Sequence, residues 1–164
     1  MFEKIESVFK KIDKVISWLI VLSLGGMTCA IFLQVIFRYV LNSPLAWTEE
    51  ISVFMFIWMT FLAGYVGARR GKHIGVVGIR NKLPKVGEMI FEFIAHAISA
   101  IFFFIIVVST TMFMPKLHTQ TSPALGLPMA YVYLVMIIGS LLMAVWYSLL
   151  AVRCLMNTKT GKES

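Results

Sequence analysis

Long apolar runs separated by short polar corners occupy almost the whole chain. Four are long enough to decide the architecture: Val15–Phe37, Ile51–Ala68, Phe93–Met114 and Met129–Val152. Crossing a hydrocarbon core of roughly 30 Å takes about 20 helical residues at about 1.5 Å each. Lipid cannot satisfy exposed backbone N–H and C=O groups, so each run is expected to be helical. Short alternating strands, the signature of a membrane barrel, do not occur in the pattern. The pattern thus predicts an all-α integral membrane protein with four transmembrane helices. Their spans fall at about 15–37, 44–68, 89–114 and 129–152, within a membrane domain covering 15–152.

Before the first run, residues 1–14 (MFEKIESVFKKIDK) place Phe2, Ile5, Phe9 and Ile12 at three- and four-residue steps, with lysines between them. This is the pattern of a short amphipathic helix at the cytoplasmic surface, or of a helical extension of span one. The first run is too long for a signal-peptide core and no A-x-A-like site follows it, so it is expected to remain as a span. Residues 153–164 form a short polar tail.

Composition sharpens this picture. Hydrophobic residues make up 59% and charged residues 14% of the chain, far from the soluble balance. The formal charge of +7 suggests nucleic acid until its placement is read. Of the 15 Lys and Arg, only Arg38 and Lys116 fall in loops 38–50 and 115–128. The others precede span one, lie between spans two and three, or follow span four, which predicts an N-in/C-in topology. These cations face lipid headgroups, and no nucleic-acid partner is implied. Cys29 and Cys154 are separated in depth by roughly 20 Å in antiparallel helices, beyond disulfide reach.

Candidate chemistry concentrates at few places. At the first corner, Ser43 suits a helix N-cap and Pro44 a first helical position. Arg38, Trp47, Glu49 and Glu50 then gather near one end of the hairpin, where an interfacial ion pair would fix the angle between spans one and two. Gln34 is expected to bond a neighbouring helix. Spacings of small residues, Gly26 with Ala30, Ala63 with Gly67 and Gly64 with Ala68, mark close helix approach, as do Gly139, Ser140 and Ala144. Span two carries Trp58 among aromatics spread around the helix, and ends in Arg69, Arg70 and His73. Span three opens with Glu88, Glu92 and His96 on one face. Ionisable groups near membrane depth raise the question of a proton relay. Spans one and four offer no acid or base to continue one, so Glu92 and His96 are expected to make an inter-helix contact. No phosphate-binding loop, G-x-S-x-G elbow or two-helix histidine pair occurs, which argues against a nucleotide, hydrolase or haem function.

QVIFRYVLNSPLAWTEEIS, FIWMTFLAGYVGARRGKHIGV, the inner Leu83-Pro84 and TSPALGLPMAYVYLVMIIGSLL together resemble the small membrane subunit (DctQ-like) of tripartite ATP-independent periplasmic (TRAP) transporters. The resemblance covers nearly the whole chain in order. One departure is Val77, where the family commonly carries an acid. The resemblance implies a bacterial inner-membrane complex that imports an organic anion, a sialic acid such as N-acetylneuraminate or a C4-dicarboxylate. A periplasmic substrate-binding protein would deliver the anion to a large multi-span subunit, which forms a heterodimer with the small one and holds the sodium sites. The small subunit would be a scaffold and docking element with no cofactor, metal or catalytic residue of its own. Arg38, Trp47, Glu49, Glu50, Trp58, Arg69, His73, Glu92 and His96 become structural or interface candidates. A stand-alone homodimeric exporter using Glu92 and His96 is the alternative from another class.

Overall fold

The computed structural model describes residues 2–70 and 85–160. They form four helices: α1 (Phe2–Tyr39), α2 (Ala46–Arg69), α3 (Lys85–Thr119) and α4 (Met129–Thr160). Each contains a stretch long and apolar enough to cross a membrane. The four expected spans are thus present, with altered ends.

Helix α1 has 38 residues, about 57 Å of helix. Its first residues continue span one with no break in the helix, so the extension alternative describes them and a separate surface helix does not form. Helix α3 likewise outruns its expected span, continuing through Pro115 to Thr119. Proline there removes one N–H near the helix end, where little remains of the helical hydrogen-bond ladder to disrupt. At the first corner the expected cap is replaced. Leu45, in extended conformation (φ −95°, ψ 101°), is the N-cap of α2, and no side chain caps it. One turn in, the Thr48 hydroxyl donates to the Leu45 carbonyl at 2.7 Å, which ties the corner to the first turn without capping its N–H groups. The chain reverses at Asn42, whose φ of 49° suits an asparagine better than most residues. Ser43 is occupied by that reversal, its N–H donating to the Phe37 carbonyl at 3.0 Å.

Packing follows the order α1–α2–α4–α3: α1 lies against α2, α2 against α4, and α4 against α3. The central pair is more enclosed, with 28% and 44% of the most apolar stretches of α2 and α4 buried, against 6% and 0% for α1 and α3. This is a row of helices with two open flanks, where the span count alone suggests a closed bundle that fills its own centre. The core lies between α2 and α4: Leu62, Tyr65, Val66 and Ala68 meet Val135, Met143, Trp146 and Tyr147, with Ile16 of α1 added at one end. Trp58 packs against this core, and Phe103 of α3 reaches its edge, stacking on Tyr147 at 5.9 Å between centroids.

Small residues let the row close up. A Cβ on Gly139 would stand 3.0 Å from the Phe61 Cβ and 3.2 Å from the Phe61 carbonyl oxygen. Gly26 meets the end of Met55, Gly64 meets Met143, and Ala30, Ser140 and Ala144 are buried. Ala63 and Gly67 do not share this role: Ala63 is exposed, and a Cβ on Gly67 would meet nothing within 4 Å.

Candidate functional site

Two polar knots occupy opposite ends of α2, with a third contact between α3 and α4. The first knot is at the start of α2. Residues 120–128, between α3 and α4, form a tight reversal. Ser122 N–H donates to Leu127 O (2.9 Å), Gly126 N–H to Ser122 O (3.0 Å) and Met129 N–H to Gln120 O (2.8 Å). Gly126 sits at φ 65°, where a Cβ would be strained. Glu50 grips this reversal from α2. Its carboxylate accepts the Ala124 N–H at 2.8 Å on Oε1 and the Leu125 N–H at 3.0 Å on Oε2. Hydrogen bonds to an ionised acceptor are the strong kind, and a two-point grip also fixes orientation.

Neighbouring residues are arranged differently from the expected ion pair. Glu49 faces Gln34 of α1, whose Nε2 donates to Oε2 at 3.4 Å, so Gln34 does bond a neighbouring helix. Among the described residues, Arg38 forms no ion pair within 4.0 Å; its guanidinium lies 5.9 Å from the Tyr39 ring centroid. Both Arg38 and Trp47 are exposed. The carboxylates are taken up by an amide and by backbone N–H groups, which leaves Arg38 outside the knot. Beside the knot lies an open groove of about 510 Å³, lined by Glu49, Glu50, Val53, Phe54, Pro123 and Met129 among others.

The second knot joins three helices. Arg69, at the end of α2, donates to Oδ2 of Asp13 in α1 from Nε at 3.0 Å and from a terminal nitrogen at 2.7 Å. The Arg69 side chain is only 8% exposed and that of Asp13 25%. The guanidinium lies 4.5 Å from the ring centroid of Trp146 in α4, and Tyr65 is fully buried in the same core. A desolvated cation over an indole adds to the ion pair. Asp13 and Trp146 were not predicted from the sequence. The available signal was that Asp13 is the chain's single aspartate and stands just before span one, level with Arg69 in an antiparallel hairpin.

Glu92 and His96 both turn toward α4, as expected of an inter-helix contact. The Cys154 thiol approaches Glu92 Oε2 at 3.8 Å, and the His96 ring lies 5.9 Å from that of Tyr147. Both cysteines are free thiols. His73 lies outside the described residues, and the side chain of Glu88 does too. Hydroxyls within the spans are mostly spent locally. Those of Thr28, Thr60, Ser99, Thr111 and Ser148 each donate to the carbonyl four residues back, at 2.7–2.8 Å. No group of three His, Cys, Asp or Glu side chains able to hold a metal occurs among the described residues.

Fold and site together define a multi-pass helical membrane protein whose polar chemistry serves helix ends and loops. Residues 27–157 match the family of tripartite ATP-independent periplasmic transporters, DctQ component. The chain belongs to that family: it is a TRAP transporter small permease subunit, a multi-pass protein of the bacterial inner membrane. It is 31% identical to a TRAP transporter small permease protein of Haemophilus influenzae over 81% of this chain and 83% of that one. It is 35% identical to the C4-dicarboxylate TRAP transporter small permease protein DctQ of Vibrio cholerae, over 52% of this chain and 37% of the relative. A third relative, the isethionate TRAP transporter permease protein DctMQ of Oleidesulfovibrio alaskensis, is 33% identical over 74% of this chain but only 21% of its own length.

Proposed function

We propose that this chain is the auxiliary, non-translocating subunit of a sodium-coupled importer of an organic anion. It scaffolds a large multi-span membrane subunit, and its Glu50 end receives a periplasmic binding protein. The observation that carries this reading is the confinement of charge. Arg69, Asp13, Glu49 and Glu50 sit at the ends of the apolar spans, and α1 and α3 leave apolar flanks uncovered. A solute carboxylate needs cationic or amide groups at mid-depth and broken helices whose termini face it. The described spans offer mainly self-bonded hydroxyls there. The much longer relative, of which this chain matches a fifth, supports a partner joined to the same unit.

Both termini are cytoplasmic in this reading, on the distribution of Lys and Arg, so the Glu50 knot is periplasmic. The subunit has no catalytic residue and no cofactor. The relatives' names differ in their solute, so selectivity is assigned to the large subunit and the binding protein. A sialic acid such as N-acetylneuraminate, or a C4-dicarboxylate, is the class proposed.

The test is purification of the tagged chain from its native membrane, followed by reconstitution of the three proteins. A stoichiometric large membrane partner, and uptake that needs all three proteins and an inward sodium gradient, is the expected result. A partnerless homodimer that transports alone would overturn the reading in favour of the exporter.

A further inference from the structure

The second knot borders an open groove of about 370 Å³ between α1 and the end of α2, lined by Asp13, Lys14, Ser17, Trp18, Val21 and Arg70. Its charges do not cancel. Asp13 is already matched by Arg69 at 2.7 Å, which leaves Lys14 and Arg70. Both are exposed, and among the described residues neither forms an ion pair. Directly along α1 from these cations stand Trp18 and Val21, 62% and 59% exposed. Leu22 and Leu24 continue the exposed apolar surface into the span. Ser17, half-buried, supplies a hydroxyl in the groove wall.

A pair of cations, an indole and then an apolar track is the order in which a phospholipid presents its parts: phosphate, glycerol backbone, acyl chain. Indoles favour this level of a membrane, and long basic side chains reach from it to headgroups. We propose that the groove is a binding site for an anionic glycerophospholipid, phosphatidylglycerol, with Lys14 and Arg70 holding its phosphate and Trp18 and Val21 its upper acyl chain. Charge selects the headgroup. Two uncompensated cations favour a lipid of net negative charge over one whose own ammonium cancels the phosphate. The bound lipid covers the seam between α1 and α2 at the point where the Asp13–Arg69 pair closes it.

The experiment uses the full-length chain, purified in whatever assembly it leaves the membrane with. The sample is delipidated, offered phosphatidylglycerol or phosphatidylethanolamine, and examined by native mass spectrometry. One retained phosphatidylglycerol per copy is expected, held in preference to phosphatidylethanolamine. Combining Lys14→Gln with Arg70→Gln is expected to weaken retention by about 30-fold, roughly five- to sixfold for each cation near a charged headgroup. Arg70→Lys keeps the charge and retains most of the binding, which separates site loss from misfolding. Lys116→Gln, at the opposite end, leaves retention unchanged. Equal retention of the two lipids overturns the proposal, and so does a double variant that binds like the wild type. Cross-linking of the groove residues to a partner helix would also overturn it, by assigning the groove to protein.

Discussion

Single side chains at the two helix ends do work that composition conceals. Glu50 could in principle pair with Arg38, seven residues before Leu45, or with a more distant group. It grips two backbone N–H groups of the 120–128 reversal. Backbone donors leave no mark in a sequence, which is why the location of Glu50 was legible and its partner was not. Replacing Glu50 with Gln keeps the shape, yet an amide has one acceptor oxygen where the carboxylate has two. The Ala124 and Leu125 amides should then exchange with deuterium faster, while amides in the middle of α4 keep their protection. Hydrogen-exchange mass spectrometry checks this, and unchanged exchange at both positions would show that the grip contributes nothing.

Asp13 and Arg69 make the other residue-scale case, because their partnership spans 56 positions of sequence. Removing one member of a largely buried pair strands the other charge, at a cost of about 3–5 kcal/mol. Asp13→Asn retains a hydrogen-bond acceptor and should fall below that range. Arg69→Ala also loses the Trp146 contact and should be the most damaging. Thermal unfolding in detergent should therefore rank the wild type above Asp13→Asn, and Asp13→Asn above Arg69→Ala. The double variant should lose less than the sum of the two single losses, as expected of groups in direct contact.

At the scale of elements, the existence of each helix was legible and its ends were not. Apolar runs longer than the hydrocarbon core leave no other folded option, so the four spans follow from lipid physics. Ends depend on local competition. Ser43 and Pro44 carry cap chemistry, yet the reversal at Asn42 uses the Ser43 N–H and moves the start of α2 to Ala46. Gly26, Ala30, Gly64, Gly139, Ser140 and Ala144 were legible as packing positions, but Ala63 and Gly67 carry the same spacing and do not pack, and the sequence does not say which helix each one meets. Gly139 shows what the structure adds. Its would-be Cβ contacts the Phe61 backbone, which has no flexible end to swing aside. Gly139→Ala should force α2 and α4 apart at a cost of about 1–3 kcal/mol, the usual range for overpacking. Gly67→Ala, with nothing within 4 Å of its added methyl, should be neutral or slightly stabilising. Comparing melting temperatures of the two variants tests the pairing of α2 with α4 directly.

For the whole molecule, lateral order is what a membrane sequence hides best. A helix apolar all round gives no preferred face, since lipid and protein core are nearly equivalent surroundings for its side chains. The row α1–α2–α4–α3 therefore comes from the structure alone, and it changes what the subunit can be. A closed bundle hides most of its apolar side chains among its own helices. A row instead offers α1 and α3 broadly to lipid or to another membrane protein. Ile98, Ile101, Ile105 and Met112 of α3 are between 56% and 75% exposed, as are Leu22 and Phe32 of α1. Directly packed helices lie about 8–10 Å apart. Spin labels at Leu22→Cys and Ile105→Cys, placed on a background without Cys29 and Cys154, should therefore report a separation well beyond one such step. Labels on α2 and α4 should report the short distance. If α1 and α3 instead proved to be neighbours, the row would close into a bundle, and the exposed flanks that support a scaffolding role would disappear with it.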